Sequence, residues 1–600
     1  MQHRYDIQIL RGAAVLLVIL YHLQTPFLDN GFLGVDIFFV ISGFLMAKIY
    51  NSQQSNFNKF YLQRLDRLLP AYTFTIILTL IASIFILVPV DFDQLYEQAI
   101  SANFFTANIL FWTQTPYFEH SSFKPLLHLW SLGVEAQFYL LVPFIYPFLR
   151  TRKYTFLLII AVSFLSCFLI QIISPKTSFF MMPFRIWEFL LGAYLAINII
   201  KINSKEKTLI QLLLILFFIL VILKFPISLN DKSIYGHPGL ASLITCSITA
   251  GILYFGIPKN IENSIFGKLL YNIGNYSYSI YLVHFPIIIL INYSAFGGTN
   301  LHIDNARNFT YILIAIIVAS YLLYNLIEKN SRLLFNNKIA RILLILSILI
   351  VAIISNQFNV QKYTNDERKI FSSWKDRGEF RCGQSFRILH PLSTICNLNS
   401  KDKKYKIILI GNSHVDAIKD EFTKVADSSD VTTFLHVHNN ALLIDSFNPR
   451  QLVSNIKKLG IQAAVIHYDN LYEVHDNVNK IKTFIDLSLK NKIKISVLAP
   501  VPHFPAHIPL TMYKKINNDE INFNRKEHLN MTKGFWNFIE KISSDEVLIY
   551  DPSKILCLNK KSCSYKDIDQ TPLYYDSNHL TLTGASKLAP LFQKIINDIK

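Results

Sequence analysis

Eleven apolar runs of near-membrane length fill the first 357 residues, at about 9–27, 32–50, 71–90, 130–149, 154–174, 184–200, 208–224, 238–256, 275–295, 308–327 and 339–357. Some 20 apolar residues are what a helix needs to cross a bilayer. Hydrocarbon offers the backbone no partners, so each run is expected to be a helix that satisfies its own N–H and C=O groups. Arg11 interrupts the first run and no small-residue cleavage site follows, which argues against a cleaved leader. A shorter run, Ala99–Trp112, is expected in or on the membrane interface.

The charges between the runs set an orientation. With the N-terminus cytoplasmic, eighteen Lys and Arg fall on that side, from Arg4 and Arg11 through Lys338 and Arg341. Five fall opposite: Lys124, Lys176, Lys224, Lys232 and Arg307. Cytoplasmic loops are enriched in Lys and Arg in this way. The net charge of +17 is thus spread between spans and forms no single patch, which excludes nucleic acid as the partner it serves. Only 16% of residues are charged, against about a quarter in soluble domains. Near residue 358 the composition turns polar and globular, and an odd number of spans puts residues 358–600 outside the cytoplasm. Four cysteines lie there in two close pairs, Cys382 with Cys396 and Cys557 with Cys563. An exported domain oxidises such pairs, so both are expected as disulfides rather than buried thiols. Cys167 and Cys246 sit in spans, and no spacing suggests a metal site.

Ionisable side chains inside spans are costly and therefore candidates for function. Arg11 and His22 are eleven residues apart, close to three whole helical turns, so they share a face at a separation of roughly 16 Å. Arg64 and Arg67 stand on one helix face at the cytoplasmic mouth, where guanidinium groups suit phosphates. The other candidates are Asp36 in Gly-Val-Asp-Ile-Phe-Phe-Val-Ile-Ser-Gly-Phe, His128 and Glu135 in His-Leu-Trp-Ser-Leu-Gly-Val-Glu, Arg185 and Glu188 in Arg-Ile-Trp-Glu, His284 in Tyr-Leu-Val-His-Phe-Pro, and Glu328.

In this order the motifs resemble the acyltransferase-3 family of membrane acyltransferases over about residues 4–330. The resemblance implies acyl transfer, usually of acetyl, from cytoplasmic acyl-CoA to an acceptor on the far side of a bacterial inner membrane. It makes His22 the essential histidine and gives donor binding to Arg11, Arg64 and Arg67. Asp36, Glu135, Arg185, Glu188, His284 and Glu328 are then either site residues or structural ion pairs. No bound cofactor is implied; acetyl-CoA is a substrate.

In the exported part, Tyr-Lys-Ile-Ile-Leu-Ile-Gly-Asn-Ser-His at 405–414 reads as a buried strand running into a turn that exposes Ser413. Further strands are expected at Val431–His438, Ala463–Tyr468, Ile493–Pro500 and Val547–Tyr550, alternating with helices as in an α/β/α sandwich. Asp576 and His579, three apart before a helix, can supply a base and its orienting carboxylate to Ser413. This set resembles the SGNH hydrolase and transferase superfamily over about residues 400–600, with Gly-Asn-Ser-His in place of Gly-Asp-Ser. The middle blocks depart from the pattern: no oxyanion-hole glycine follows the strand at 431–438. Asn470, Asn439 and Asn440 are candidates beside the Ser413 amide.

The expected architecture is a polytopic α-helical membrane domain followed by a flavodoxin-like α/β/α domain. Its parts are 1–330 acyltransferase, 331–360 an additional transmembrane helix, 361–402 a linker or extension, and 403–600 the catalytic domain. The expected activity moves an acetyl group from acyl-CoA to an envelope glycan, first the O-antigen of lipopolysaccharide, with peptidoglycan or exopolysaccharide as alternatives. A transporter leaves Ser413, Asp576 and His579 unexplained, and a tethered esterase leaves Arg11, His22 and the arginine loop unexplained. A reporter fused after Lys600 is predicted to be active only in its exported form; cytoplasmic activity contradicts the orientation.

Overall fold

The structure is a computed structural model that describes residues 4–26, 28–52, 57–114, 123–197, 204–224, 236–303, 306–331, 337–390, 393–399, 401–438, 442, 448–469, 475–514, 521–542, 546–558 and 562–600. The chain divides into two compact units, Met1–Gln361 and Lys362–Lys600.

The first unit is helical. Its elements are α1 (Tyr5–His22), α2 (Gly34–Ser52), α3 (Phe57–Ile86), α4 (Pro89–Asn103), α5 (Ala107–Thr113), α6 (Trp130–Arg150), α7 (Lys153–Ile173), α8 (Pro175–Phe180), α9 (Met182–Ile197), α10 (Ser204–Lys224), α11 (Leu240–Phe255), α12 (Lys259–Glu262), α13 (Ile265–Ile291), α14 (Ala306–Leu323) and α15 (Lys338–Gln361). Each of the eleven apolar runs falls on a helix. Among the described residues eight helices are long and apolar enough to cross a membrane, against the eleven expected; Lys207–Leu223 and Leu240–Phe255 are shorter apolar helices, and α9 has 16 residues. The chain is a multi-pass membrane protein.

The spans sort by burial. Windows in α2 and α13 are 67% buried, whereas those in α7, α14 and α15 are only 22% buried and leave Leu158, Leu169, Ile317 and Ile350 exposed. Such surfaces suit lipid, not water. Small residues let the inner helices touch. A Cβ at Gly12 of α1 would lie 2.0 Å from the Leu270 carbonyl oxygen, and one at Gly274 of α13 1.9 Å from that of Gln8. Gly43 and Gly192 do the same for α2 and α9. Close backbone approach of this kind drives helix association where the hydrophobic effect cannot. The run Ala99–Trp112 is not one helix. It breaks at Phe105, which takes a φ of 53°, into α4 and α5, and Ala99, Ala102, Ala107 and Phe111 are buried in the main core.

The second unit is built on a six-stranded sheet in the order β1-β3-β2-β4-β5-β6, with β1 (Ile395–Asn397), β2 (Tyr405–Gly411), β3 (Val431–His436), β4 (Ala463–His467), β5 (Lys494–Leu498) and β6 (Val547–Tyr550). All neighbours are parallel except β1 with β3. Alternate residues of β2 feed two cores: Ile407 and Leu409 pack with Phe422, Phe592 and Ile595, while Ile408 and Ile410 pack with Ile456, Phe484 and Phe535. A sheet covered on both faces needs such continuous apolar strands. Of residues 361–402, expected as a linker or extension, the described ones from Lys362 on belong to this unit. Thr364 and Glu367 form a capping box on Asn365–Ser372, Ile370 and Phe371 are buried, and β1 completes the sheet edge. Cys382 is bonded to Cys396 and Cys557 to Cys563, while Cys167 and Cys246 are free and buried. Thiol labelling of denatured, unreduced protein is predicted to modify Cys167 and Cys246 alone; labelling of all six contradicts the pairing.

Candidate functional site

Parallel strands β2, β4 and β5 end together, so the loops after them meet at one sheet edge. Gly411 closes β2 because a Cβ there would lie 1.8 Å from the His467 carbonyl oxygen of β4. Asn412 caps the next helix, Ser413–Ser428, by accepting from the His414 N–H at 3.1 Å, which puts Ser413 in its first turn. Ser413 Oγ lies 2.7 Å from His579 Nε2, and His579 Nδ1 lies 2.6 Å from Asp576 Oδ2. The other Asp576 oxygen accepts from the backbone N–H groups of Asn578, at 2.9 Å, and His579, at 2.7 Å. Burial works to raise the Asp576 pKa, but His579 and these hydrogen bonds hold it at about 2. The carboxylate is therefore charged at neutral pH and keeps the imidazole oriented, as a serine nucleophile with a histidine base requires.

Four neighbours escaped the sequence reading. Asp469, just past β4, accepts from Asn578 Nδ2 at 2.8 Å and lies 3.5 Å from His414 Nε2 and 3.8 Å from His503 Nδ1. Burial opposes its charge, yet His414 and His503 hold its carboxyl well below the usual range. The hydrogen bond to Asp469 raises the His503 pKa. His414 packs its ring 4.4 Å from that of His579, and Tyr575 stacks on His579 at 5.4 Å. Asn470, Asn439 and Asn440 lie outside the described residues.

The membrane unit carries a second constellation. Arg11, Arg64 and Arg67 line one pocket together with Ser42, Glu135 and Tyr139. Glu135 accepts from Ser42 and Tyr139, and Glu328 accepts from Ser279. Arg11 is also 3.3 Å from Gln8. His22 does not line this pocket. Its Nδ1 lies 3.3 Å from His284 Nε2, and His284 Nδ1 lies 2.7 Å from the Tyr281 carbonyl. His128 joins them, its ring 5.5 Å from that of His284 and its Nε2 3.0 Å from the Leu282 carbonyl. Tyr281 links the two places: its ring lines the arginine pocket and its hydroxyl lies 2.6 Å from Ser131 and donates to the His128 carbonyl at 2.8 Å.

Asp36, Arg185 and Glu188 fall elsewhere. Arg185 pairs with Asp36 at 2.9 Å and Glu188 at 3.1 Å, and His237 lies 3.0 Å from Asp36; all are buried. This is a structural tie between α2, α9 and the segment before α11. Asp36, Glu188 and Cys246 offer ligand atoms within 4.8 Å of one another, but Arg185 already pairs with both carboxylates and a metal cation would meet its charge.

Residues 4–354 match the acyltransferase domain family, and residues 381–594 match the SGNH domain that occurs fused to such domains. The chain belongs to this acyltransferase family. The O-acetyltransferase OatA of Staphylococcus aureus, in strains NCTC 8325 and COL alike, is 34% identical over 310 residues, 47% of this chain and 50% of that protein. The chain thus spans about half the length of these curated relatives. A solved structure, the periplasmic domain of a Salmonella ser. Paratyphi A lipopolysaccharide acetyltransferase, is 17% identical, with a TM-score of 0.28 over 39% of this chain and 97% of that one. The family assignment covers both constellations, the arginine pocket with its histidines and the Ser413 triad.

The Asp469–His503 pair carries a pH signature. Charged His503 contributes stability that is complete below its unfolded value of about 6.5 and is lost as pH rises through the higher folded value. In Asp469→Asn the His503 titration midpoint, read by imidazole NMR of the full-length protein, is predicted to fall; an unchanged midpoint contradicts the pairing.

Proposed function

We propose that the chain is an inner-membrane O-acetyltransferase that takes an acetyl group from cytoplasmic acetyl-CoA and places it on a hydroxyl of an envelope glycan. The observation that carries this reading is the hydrogen-bonded Ser413, His579 and Asp576 in a chain that also holds Arg11, Arg64 and Arg67 around one pocket. The relatives named O-acetyltransferase support acetyl as the group and oxygen as its destination.

In this reading the three arginines hold the donor's phosphates. The His22–His284 pair takes the proton of a carrier hydroxyl as it attacks the thioester, so that an ester forms on the carrier and the proton goes to the coenzyme A thiolate that leaves. The carrier is then the leaving group at Ser413. On the far side, Ser413 Oγ attacks the acyl carbonyl as His579 Nε2 takes its proton. His579 returns that proton to the leaving group, which departs and leaves an ester on Ser413. A sugar hydroxyl then gives its proton to His579, attacks the ester, and Ser413 leaves with that proton. The Ser413 amide is one oxyanion donor, and Asn470 is the candidate for a second. The acceptor we put first is lipopolysaccharide O-antigen, with peptidoglycan and exopolysaccharide as the alternatives that isolated glycans separate.

Ser413→Ala and His579→Ala are each predicted to lower glycan acetylation by about 10³-fold or more, with the double variant little worse than either, since triad members act as a unit. Asp576→Asn is expected to be milder. His22→Ala is predicted to abolish acetylation while the protein stays in the membrane. The measurement is acetate released by mild base from purified surface glycan. Full acetylation in Ser413→Ala means that the exported unit only binds glycan, and near-normal acetylation in His22→Ala returns His22 to packing.

A further inference from the structure

An apolar groove of about 330 Å³ lies between α1, α10, α11 and α13 and shares no lining residue with the arginine pocket. Leu17, Ile219, Ile252 and Leu270 are among its walls. On α1 the lining extends from Ile9 to Leu20. Those eleven steps, at ~1.5 Å each, make about 16 Å, about half of a ~30 Å hydrocarbon core. The groove therefore has the depth of one leaflet.

One end of the groove opens into polar surroundings. Ile257 lines the groove and also lines a second cavity of about 640 Å³. That cavity is bounded by Arg4, Asp6, Lys207, Lys259 and Glu262. Arg4 is neutralised by Asp6 at 2.5 Å. Lys259 lies in the field of Glu262, and among the described residues Lys207 forms no ion pair. Three cations against two carboxylates leave one net positive charge, which matches the single negative charge of a phosphodiester. By the loop-charge count both lysines face the cytoplasm.

We propose that the cavity and groove together hold one anionic glycerophospholipid of the cytoplasmic leaflet, with its phosphate at Lys207 and Lys259 and an acyl chain along α1. A polar cavity alone suits many anions. A leaflet-deep apolar groove that adjoins it at Ile257 suits a ligand that is charged at one end and hydrocarbon for the rest. A short-chain coenzyme A thioester lacks the hydrocarbon to fill the groove. The site stands apart from the proposed chemistry and does not depend on it.

The test is native mass spectrometry of the full-length protein in detergent, titrated with phosphatidylglycerol or phosphatidylcholine of matched chains. The wild-type protein is expected to retain one phosphatidylglycerol about tenfold better than phosphatidylcholine, since lysines at the headgroup level each favour an anionic lipid. Lys207→Gln with Lys259→Gln, both at exposed positions, should bring the ratio to about one. Ile219→Trp, which fills the groove from an exposed position on α10, should lower the retention of both lipids. Equal retention of the two lipids by the wild-type protein overturns the proposal. So does an unchanged preference in the lysine variant, or undiminished binding in Ile219→Trp.

Discussion

Hydrocarbon gives a charge no partner, and the membrane unit is arranged around that fact. Each ionisable group carried into its spans has its own protein partner or a polar pocket. Arg185, fully buried, is held by Asp36 and Glu188, and Asp36 by His237, so one tie joins helices whose glycines already bring their backbones together. Removing one partner from such a set typically costs about 3–5 kcal/mol, because the remaining charge stays buried. With that tie and the Gly12/Gly274 contact in place, α1, α2 and α13 form the inner wall on which the arginine pocket and the histidine cluster are built.

The histidine cluster shows how packing turns sequence-distant groups into one site. His22 ends α1, His128 precedes α6 and His284 lies late in α13, yet His22 and His128 both approach His284. Arg11 and His22 share a helix and separate in environment: the first faces the other arginines, the second faces imidazoles. Tyr281 belongs to both: it lines the arginine pocket together with Ser131, and its ring lies 5.4 Å from that of His284 and 5.7 Å from that of His128.

Much of this was legible because burial writes continuous apolar runs. The eleven helical segments and strands β2 to β6 were visible for that reason; the strand ends agree within about two residues, whereas helix ends differ by more, the run 71–90 falling on Phe57–Ile86 and the run 275–295 on Ile265–Ile291. Ser413, Asp576 and His579 were visible because short local spacing predicts a common sheet edge. β1 was not: three residues carry no period, and its place is set by pairing with β3 and by the neighbouring Cys396 disulfide. His237, Asp469 and His503 were invisible for another reason. Each is a lone polar residue in a connecting segment, and only the fold reveals the carboxylate or imidazole that meets it. For Asp36, Arg185 and Glu188 the sequence left site and structure open; the fold adds that they pair with one another and with His237, apart from the arginine pocket.

Two stations for one acyl group make the central claim, and it is tested by looking for the group on Ser413. Full-length protein in sealed proteoliposomes, with the arginine pocket facing the added solution, is given isotopically labelled acetyl-CoA without acceptor. The Ser413 peptide is then weighed after rapid acid quenching. The account predicts a labelled acetyl ester on Ser413 in the wild-type protein and none when His22 is replaced by Ala. If a parallel sample given acceptor glycan labels that glycan while Ser413 carries no group in either sample, even in Asp576→Asn where turnover of the ester is slowed, the account is contradicted.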